Sequence, residues 1–296
     1  MEESDCKYIS SRGILKSCFI HSQQPISDIT SLIQYDFSKL REGCSIYITT
    51  SCIPQLEKMI HNIPMKFILV SGDSDRICPI EIFHSEKQFL EFIENDKIIH
   101  WYAQNCIIQH SKITKLPIGL DYHTIYSNKN HWWGDTKTPI QQENELDLIR
   151  KDLKPFWERE IRCYSNFHFA LHNKYGNPRK RALETIPNEC IYYEEKSLSR
   201  IESWENQSKY GFVVSPHGNG LDCHRTWEAL LLGCIVIVEK SNIDDLYIDL
   251  PVFVIDNYKN ISTELLQKIV EEYKNRVFNY EKLFLSYWLK IIHPST

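Results

Sequence analysis

The stretch "SPHGNGLDCHRTWEALLLGCIVIV", residues 215–238, gathers polar side chains where a buried strand turns into a helix. His217, Asn219 and Asp222 follow the apolar run "YGFVV", and His224, Arg225 and Glu228 open the helical pattern of "HRTWEALLL". Pro216, Gly218 and Gly220 keep the turn tight, and the two glycines tolerate positive φ. Asp222 is placed to cap the helix, its carboxylate accepting free first-turn N–H groups. Trp227, Leu230 and Leu231 fall on one face and are expected to pack on a sheet, with Gly233 ending the helix. Arg225 and Glu228, three residues apart, share the first turn. A helix N-terminus draws phosphate through its unpaired N–H groups and dipole. Arg225 adds a two-pronged cation and Glu228 an acceptor for ribose hydroxyls. The chemistry expected is therefore binding of a nucleotide diphosphate. The plain alternative is a solvated Arg–Glu salt bridge contributing a few tenths of a kcal/mol.

Other groups complete or compete with this picture. "KFILVSGDSDR" puts Asp73 and Asp75 just after a strand, where a general base could sit; Asp121 and His123 in "PIGLDYH" are the reserves. Asp73 is the first choice, against the alternative of a loop carboxylate bonding its own backbone. Asp73 and Asp75 also form a D-x-D pair of the kind that holds a divalent metal. "KYGNPRKR" supplies Lys174, Arg179, Lys180 and Arg181, of which Arg179 at the helix start best faces an anion and the others read as a solvated face. Trp132 and Trp133 offer rings on which a sugar can stack, or serve as loop anchors. His217 bonds either a phosphate or its own loop.

These residues need a frame, and strands and helices alternate to supply one. Strand-like runs at 44–50, 66–72, 98–104 and 112–119 are separated by helical spacing at 53–63 and 85–95, the latter opened by a Ser85–Gln88 capping box. After an aromatic loop at 120–140, a helix starts at Thr138 with Pro139 in its first turn. Strands at 162–171, 190–195, 210–214, 235–238 and 251–256 then alternate with helices at 179–186, 197–209 and 224–232. A long helical run from Ser262 to about Ile292 closes the chain. Alternating βαβ units imply parallel sheets. The expected architecture is α/β, with two Rossmann-like domains, 1–150 and 151–296, facing across a cleft. The last helix is expected to pack back on the first domain.

The 296 residues carry 34 Lys and Arg against 39 Asp and Glu, a net charge of −5. That balance gives no footprint for nucleic acid. No stretch has the roughly 20 apolar residues of a membrane helix, and no signal peptide is legible. The ten cysteines lie singly with no CxxC pair. They read as reduced, cytoplasmic thiols, and no metal is expected.

Residues 215–238 resemble the signature of exostosin-like glycosyltransferases: a glycine loop, then "R-x-x-E-A-L", then a "G-C-I" strand. "WYAQNCIIQHSKITKLPIGLDYHT", residues 101–124, looks like a first-domain segment of related enzymes. The resemblance implies a GT-B fold and transfer of a sugar from a UDP-sugar to a glycan hydroxyl with inversion. It implies no catalytic metal and no cofactor. Arg225 would neutralise the diphosphate and Glu228 would hold the ribose. Membrane-anchored members are common, whereas the soluble members it resembles are encoded by large DNA viruses, one branch of which transfers xylose; UDP-xylose is the first donor implied, and host cytoplasm the location. Three alternatives stand beside it. One is a silent sugar-nucleotide or glycan-binding protein, and another is a metal-dependent D-x-D transferase. The third is an NAD-linked oxidoreductase, against which Cys223 speaks by standing where a third fingerprint glycine belongs.

Overall fold

The structure, a computed structural model, describes residues 2–169, 171 and 176–294. Those residues form a mixed α/β molecule with two parallel sheets. The first contains β1 (Ser45–Thr49), β2 (Phe67–Gly72), β3 (Ile98–Gln104) and β4 (Ile113–Leu116), ordered in space as in the chain. Because every crossover steps the same way, right-handed connections put the intervening helices on one face. Those helices are α2 (Ile53–Met59) and α3 (Glu86–Ile93). Alternation along the strands follows: Ile46, Ile48, Leu69 and Trp101 meet Ile53, Leu56, Phe89 and Phe92, while Tyr47, Val70 and Tyr102 face the other way. Ser85 caps α3 as expected, but the Gln88 carboxamide reaches the His84 N–H at 2.8 Å rather than that of Ser85.

The second sheet has β5 (Glu160–Ser165), β6 (Ile191–Tyr193), β7 (Tyr210–Val214), β8 (Ile235–Glu239) and β9 (Val252–Ile255), in the order β6-β5-β7-β8-β9. Strand order reverses between β5 and β7, so helices cover both faces. On one face α6 (Gly176–Thr185) and α9 (Thr263–Lys274) bring Ala182, Ile186, Leu266 and Ile269 onto Phe212, Val214, Ile235 and Ile237. On the other, α7 (Arg200–Gln207) and α8 (His224–Leu231) bring Trp204, Trp227 and Leu230 onto Tyr164, Val213 and Val236.

That second face shares one core with the first sheet, since Tyr102, Leu116 and Leu120 belong to the same buried cluster as Trp227 and Leu246. Around it stand α1 (Ser11–Ser17), the short α4 (His123–Ser127), α5 (Pro139–Lys151) and α10 (Leu285–Ile292). α5 starts after Thr138 with Pro139 in its first turn, as expected, and a capping box of Thr138 and Gln141 opens it. The single long helix expected from Ser262 to Ile292 is corrected to two. Residues 275–284 cross from one sheet to the other, with Asn279 N–H bonded to Asp249 O at 2.7 Å and Ile9 N–H to Leu283 O at 3.0 Å. As α10, the end of the chain packs on α1, and Tyr102 donates its hydroxyl to Ile291 O at 2.7 Å. Among the described residues, no helix is long and apolar enough to cross a membrane.

Candidate functional site

In open parallel sheets, ligands bind beyond the carboxyl ends of the strands where the order reverses. Here that point lies between β5 and β7, and a cleft of about 700 Å³ opens there. The loop after β7 supplies Gly218, Asn219, Gly220 and Asp222, and the start of α8 supplies His224, Arg225 and Glu228. Arg179 enters from α6, Trp132 and Trp133 from the aromatic loop, and Asp75 and Ile118 from the ends of β2 and β4.

α8 forms as the spacing predicts. Trp227, Leu230 and Leu231 are buried, and Gly233 takes φ 72° just past the helix end. Its N-cap is corrected from Asp222 to Cys223, and no side chain caps it. Asp222 turns inward and accepts from Trp227 Nε1 at 2.9 Å, Tyr247 Oη at 3.0 Å and the Ile118 N–H at 2.8 Å. Burial raises its pKa above the ordinary carboxylate range. Asp222 is thus a buried pin between the two sheets, and its donor-binding role is dropped. Gly220 is required for a related reason: a Cβ there would stand 2.7 Å from Asn105 Nδ2. Asn105 in turn accepts the Asp222 N–H at 3.0 Å, so this glycine permits close approach between the two halves.

Arg225 and Glu228 both line the cleft, but they are not paired to each other. Arg225 Nη1 donates to Pro216 O at 3.1 Å and Ser215 Oγ at 3.2 Å, both neutral acceptors. Among the described residues no carboxylate pairs with it. Arg179 Nε donates to His217 O at 3.0 Å. Burial first, then the charge of Arg225, pull the Arg179 pKa down to about 10. Two guanidiniums that repel each other beside an uncapped helix start make an anion-seeking corner. Glu228 instead accepts from Arg200 Nη2 at 2.7 Å through Oε1. Arg200 also donates to Asp121 O and to Gln142 Oε1, and its guanidinium lies over the rings of Trp204 and Trp133 at 4.7 and 5.5 Å.

The sequence reading passed over Arg200, Asn105 and Trp204. Arg200 did carry a signal: a cation in the first turn of a helix opposes the dipole and calls for a compensating partner. Behind Glu228 the cleft continues into an aromatic chamber lined by Trp133, Tyr164, Asn166, Glu194 and Trp204. The Trp204 indole N–H is sealed within the fold, with no acceptor among the described residues.

The remaining expectations divide. His217 Nδ1 bonds Leu221 O at 2.8 Å, the loop-bracing alternative, and His217 is not among the residues lining the cleft. Asp73 does not reach the cleft. Its backbone takes φ 50°, and its carboxylate accepts from Ser27 Oγ at 2.8 Å and faces Arg12 Nε at 3.5 Å inside the first-sheet half. Asp75 does line the cleft, so the D-x-D pair does not converge on one ion. Among the described residues, no group of three or more His, Cys, Asp or Glu is arranged to hold a metal. Asp121 is buried and accepts from the Thr124 N–H at 2.9 Å and Thr124 Oγ1 at 2.6 Å. Burial pushes its pKa up, but His123, His224 and Arg200 outweigh that and hold it below the ordinary range. Burial lowers the pKa of His123 against the pull of Asp121. Neither fits a base facing the cleft. Trp132 is exposed at the cleft rim, whereas the Trp133 carbonyl accepts the Arg200 N–H at 2.9 Å. Lys180 pairs with Glu184 and Arg181 with Glu239, the solvated face expected of them. Lys174 lies outside the described residues. Compared with protein-family models and with curated proteins, the chain matches none.

Proposed function

We propose that the protein is a glycosyltransferase of GT-B architecture that transfers a sugar from a UDP-sugar to a glycan hydroxyl without a metal. One observation carries the reading: Arg225, with only neutral acceptors, lies beside Arg179 at the uncapped start of α8, in a cleft at the strand-order reversal. The diphosphate is assigned to that corner, where leaving-group charge develops and fixed cations stabilise it most. One turn along, Glu228 Oε2 is assigned to the ribose, Oε1 being held by Arg200. The base is assigned to the aromatic chamber, between the rings of Trp133 and Tyr164 and beside Asn166. The transferred sugar then lies toward Asp75 and Ile118, with Trp132 on the acceptor side.

Calorimetry with UDP, followed by UDP release from UDP-xylose, UDP-glucose and UDP-galactose in the presence of EDTA, tests this. UDP binding with release from one donor, undiminished by EDTA, is expected. Absence of UDP binding overturns the reading, and loss of release in EDTA overturns its metal-free form. Binding without release from any donor, in water or with a glycan acceptor panel, replaces the transferase with a sugar-nucleotide-binding protein.

A further inference from the structure

Inverting transfer needs a group to take the acceptor's proton, and Asp73, Asp121 and His123 are all held away from the cleft. We infer that His224, the first residue of α8, is the general base, acting through Nε2. The inference rests on the transferase reading above. His224 lines the cleft, and its Nδ1 lies 2.7 Å from Gly119 O. A carbonyl only accepts, so Nδ1 carries the hydrogen, and in the neutral ring the lone pair is on Nε2.

The carbonyl that sets this tautomer is itself fixed. Gly119 takes φ 66°, and a Cβ there would stand 2.4 Å from Ile9 O, so only glycine fits. Beyond it, Asp121 is the buried carboxylate whose ionised form His224 helps to stabilise. The charged and titratable groups around the ring are Asp121 and His123 from the first-sheet half, and Asp222, Arg225 and Glu228 from its own loop and helix. The His123 ring centroid lies 6.2 Å away. Glu228 is four residues along the same face of α8, so His224 stands about 6 Å nearer the phosphate end of the helix than the assigned ribose site. That places it beside the anomeric carbon of a donor lying along α8.

The step balances without another reactant. Nε2 takes the hydroxyl proton as the acceptor oxygen bonds to the anomeric carbon. The bond from that carbon to the phosphate oxygen breaks, and UDP leaves with the electron pair. The imidazolium then returns its proton to solvent.

The test is His224→Gln, assayed by UDP release from the donor that the wild type turns over. Turnover is expected to fall about 10²- to 10⁴-fold, with UDP affinity within about threefold and an unchanged melting curve. Turnover within about fivefold of wild type overturns the assignment. A parallel loss of UDP affinity makes His224 a phosphate ligand and overturns it too. A variant that melts early is replaced by His224→Asn, judged on the same readouts. Should the wild type bind no UDP, the transferase reading falls and this assignment with it; should it turn over normally while both variants do, only the assignment falls.

Discussion

The carboxyl ends of β2 and β7 are alike in outline, each a buried strand closing on a tight polar turn, but their charges are disposed differently. In the first-sheet half, acidic groups are turned into the fold: after β2 Asp73 faces Arg12, after β4 Asp121 faces His123 at 3.2 Å, and at the start of the chain Glu3 accepts from Ser10 Oγ at 2.9 Å. After β7, Arg225 is held, among the described residues, only by neutral oxygens, and it lines the cleft. Buried charges that satisfy each other stabilise or tune a fold; a charge left without its opposite at an accessible corner recruits one from solution. The contrast assigns scaffolding to the first region and recognition to the second.

The largest effect tests the scaffold. Burial pushes the Glu3 carboxyl up to about 8, so between its unfolded value of 4.5 and 8 the folded chain holds a proton that the unfolded chain has released. The folded state then binds more protons, and stability falls as pH rises across that window. At neutral pH this costs about 3 kcal/mol. Glu3→Gln should therefore melt higher than wild type at pH 7 and converge with it near pH 4. Thermal melts across the range check this, and parallel curves for the two proteins would remove the buried proton.

Next is Arg225→Ala. Losing charge-assisted bonds to a diphosphate should weaken UDP binding about a hundredfold, or 2.7 kcal/mol, with little change in melting temperature because the bonds lost inside the protein are to neutral acceptors. An affinity unchanged in calorimetry would erase the contrast between the two regions. Glu228 follows, and its ion pair with Arg200 means that two substitutions are needed. Glu228→Ala strips a buried guanidinium of its partner and should lose stability as well as affinity. Glu228→Gln still offers Arg200 an oxygen, and should bind UDP about tenfold more weakly, or 1.4 kcal/mol, near the wild-type melting temperature.

What the sequence made readable follows from how local each signal is. The βαβ alternation, the buried face of α8 and its glycine stop depend on spacings of a few residues, and they appear as expected. The position of Arg225 and Glu228 on the cleft wall was readable for the same reason. Asp222 looked like a helix cap because caps are local, but its actual partners, Ile118 and Tyr247, lie 104 and 25 residues away. Gly220 looked like a phosphate-loop glycine, and the atom that excludes a side chain there belongs to Asn105. The Arg200–Glu228 pair spans 28 residues and two helices. The first two readings changed because of contacts between the two sheets and the third because of a contact between neighbouring helices, and no spacing rule encodes contacts that distant in the chain.

The smallest expected effect is the sharpest test of that division. Asp73 sits at the strand end where a first-half base belongs, so a sequence-based choice falls on it. The structure gives it Ser27 and Arg12 instead, outside the cleft lining. Asp73→Asn keeps the shape and an acceptor for Ser27 but removes the charge facing Arg12. It should lower stability by about 1 kcal/mol, the pair being long at 3.5 Å. UDP affinity and turnover should stay within about twofold. A collapse of turnover with stability intact would show that Asp73 reaches the reacting atoms in a conformation with the cleft differently closed. The two strand ends would then share the chemistry that the contrast assigns to one.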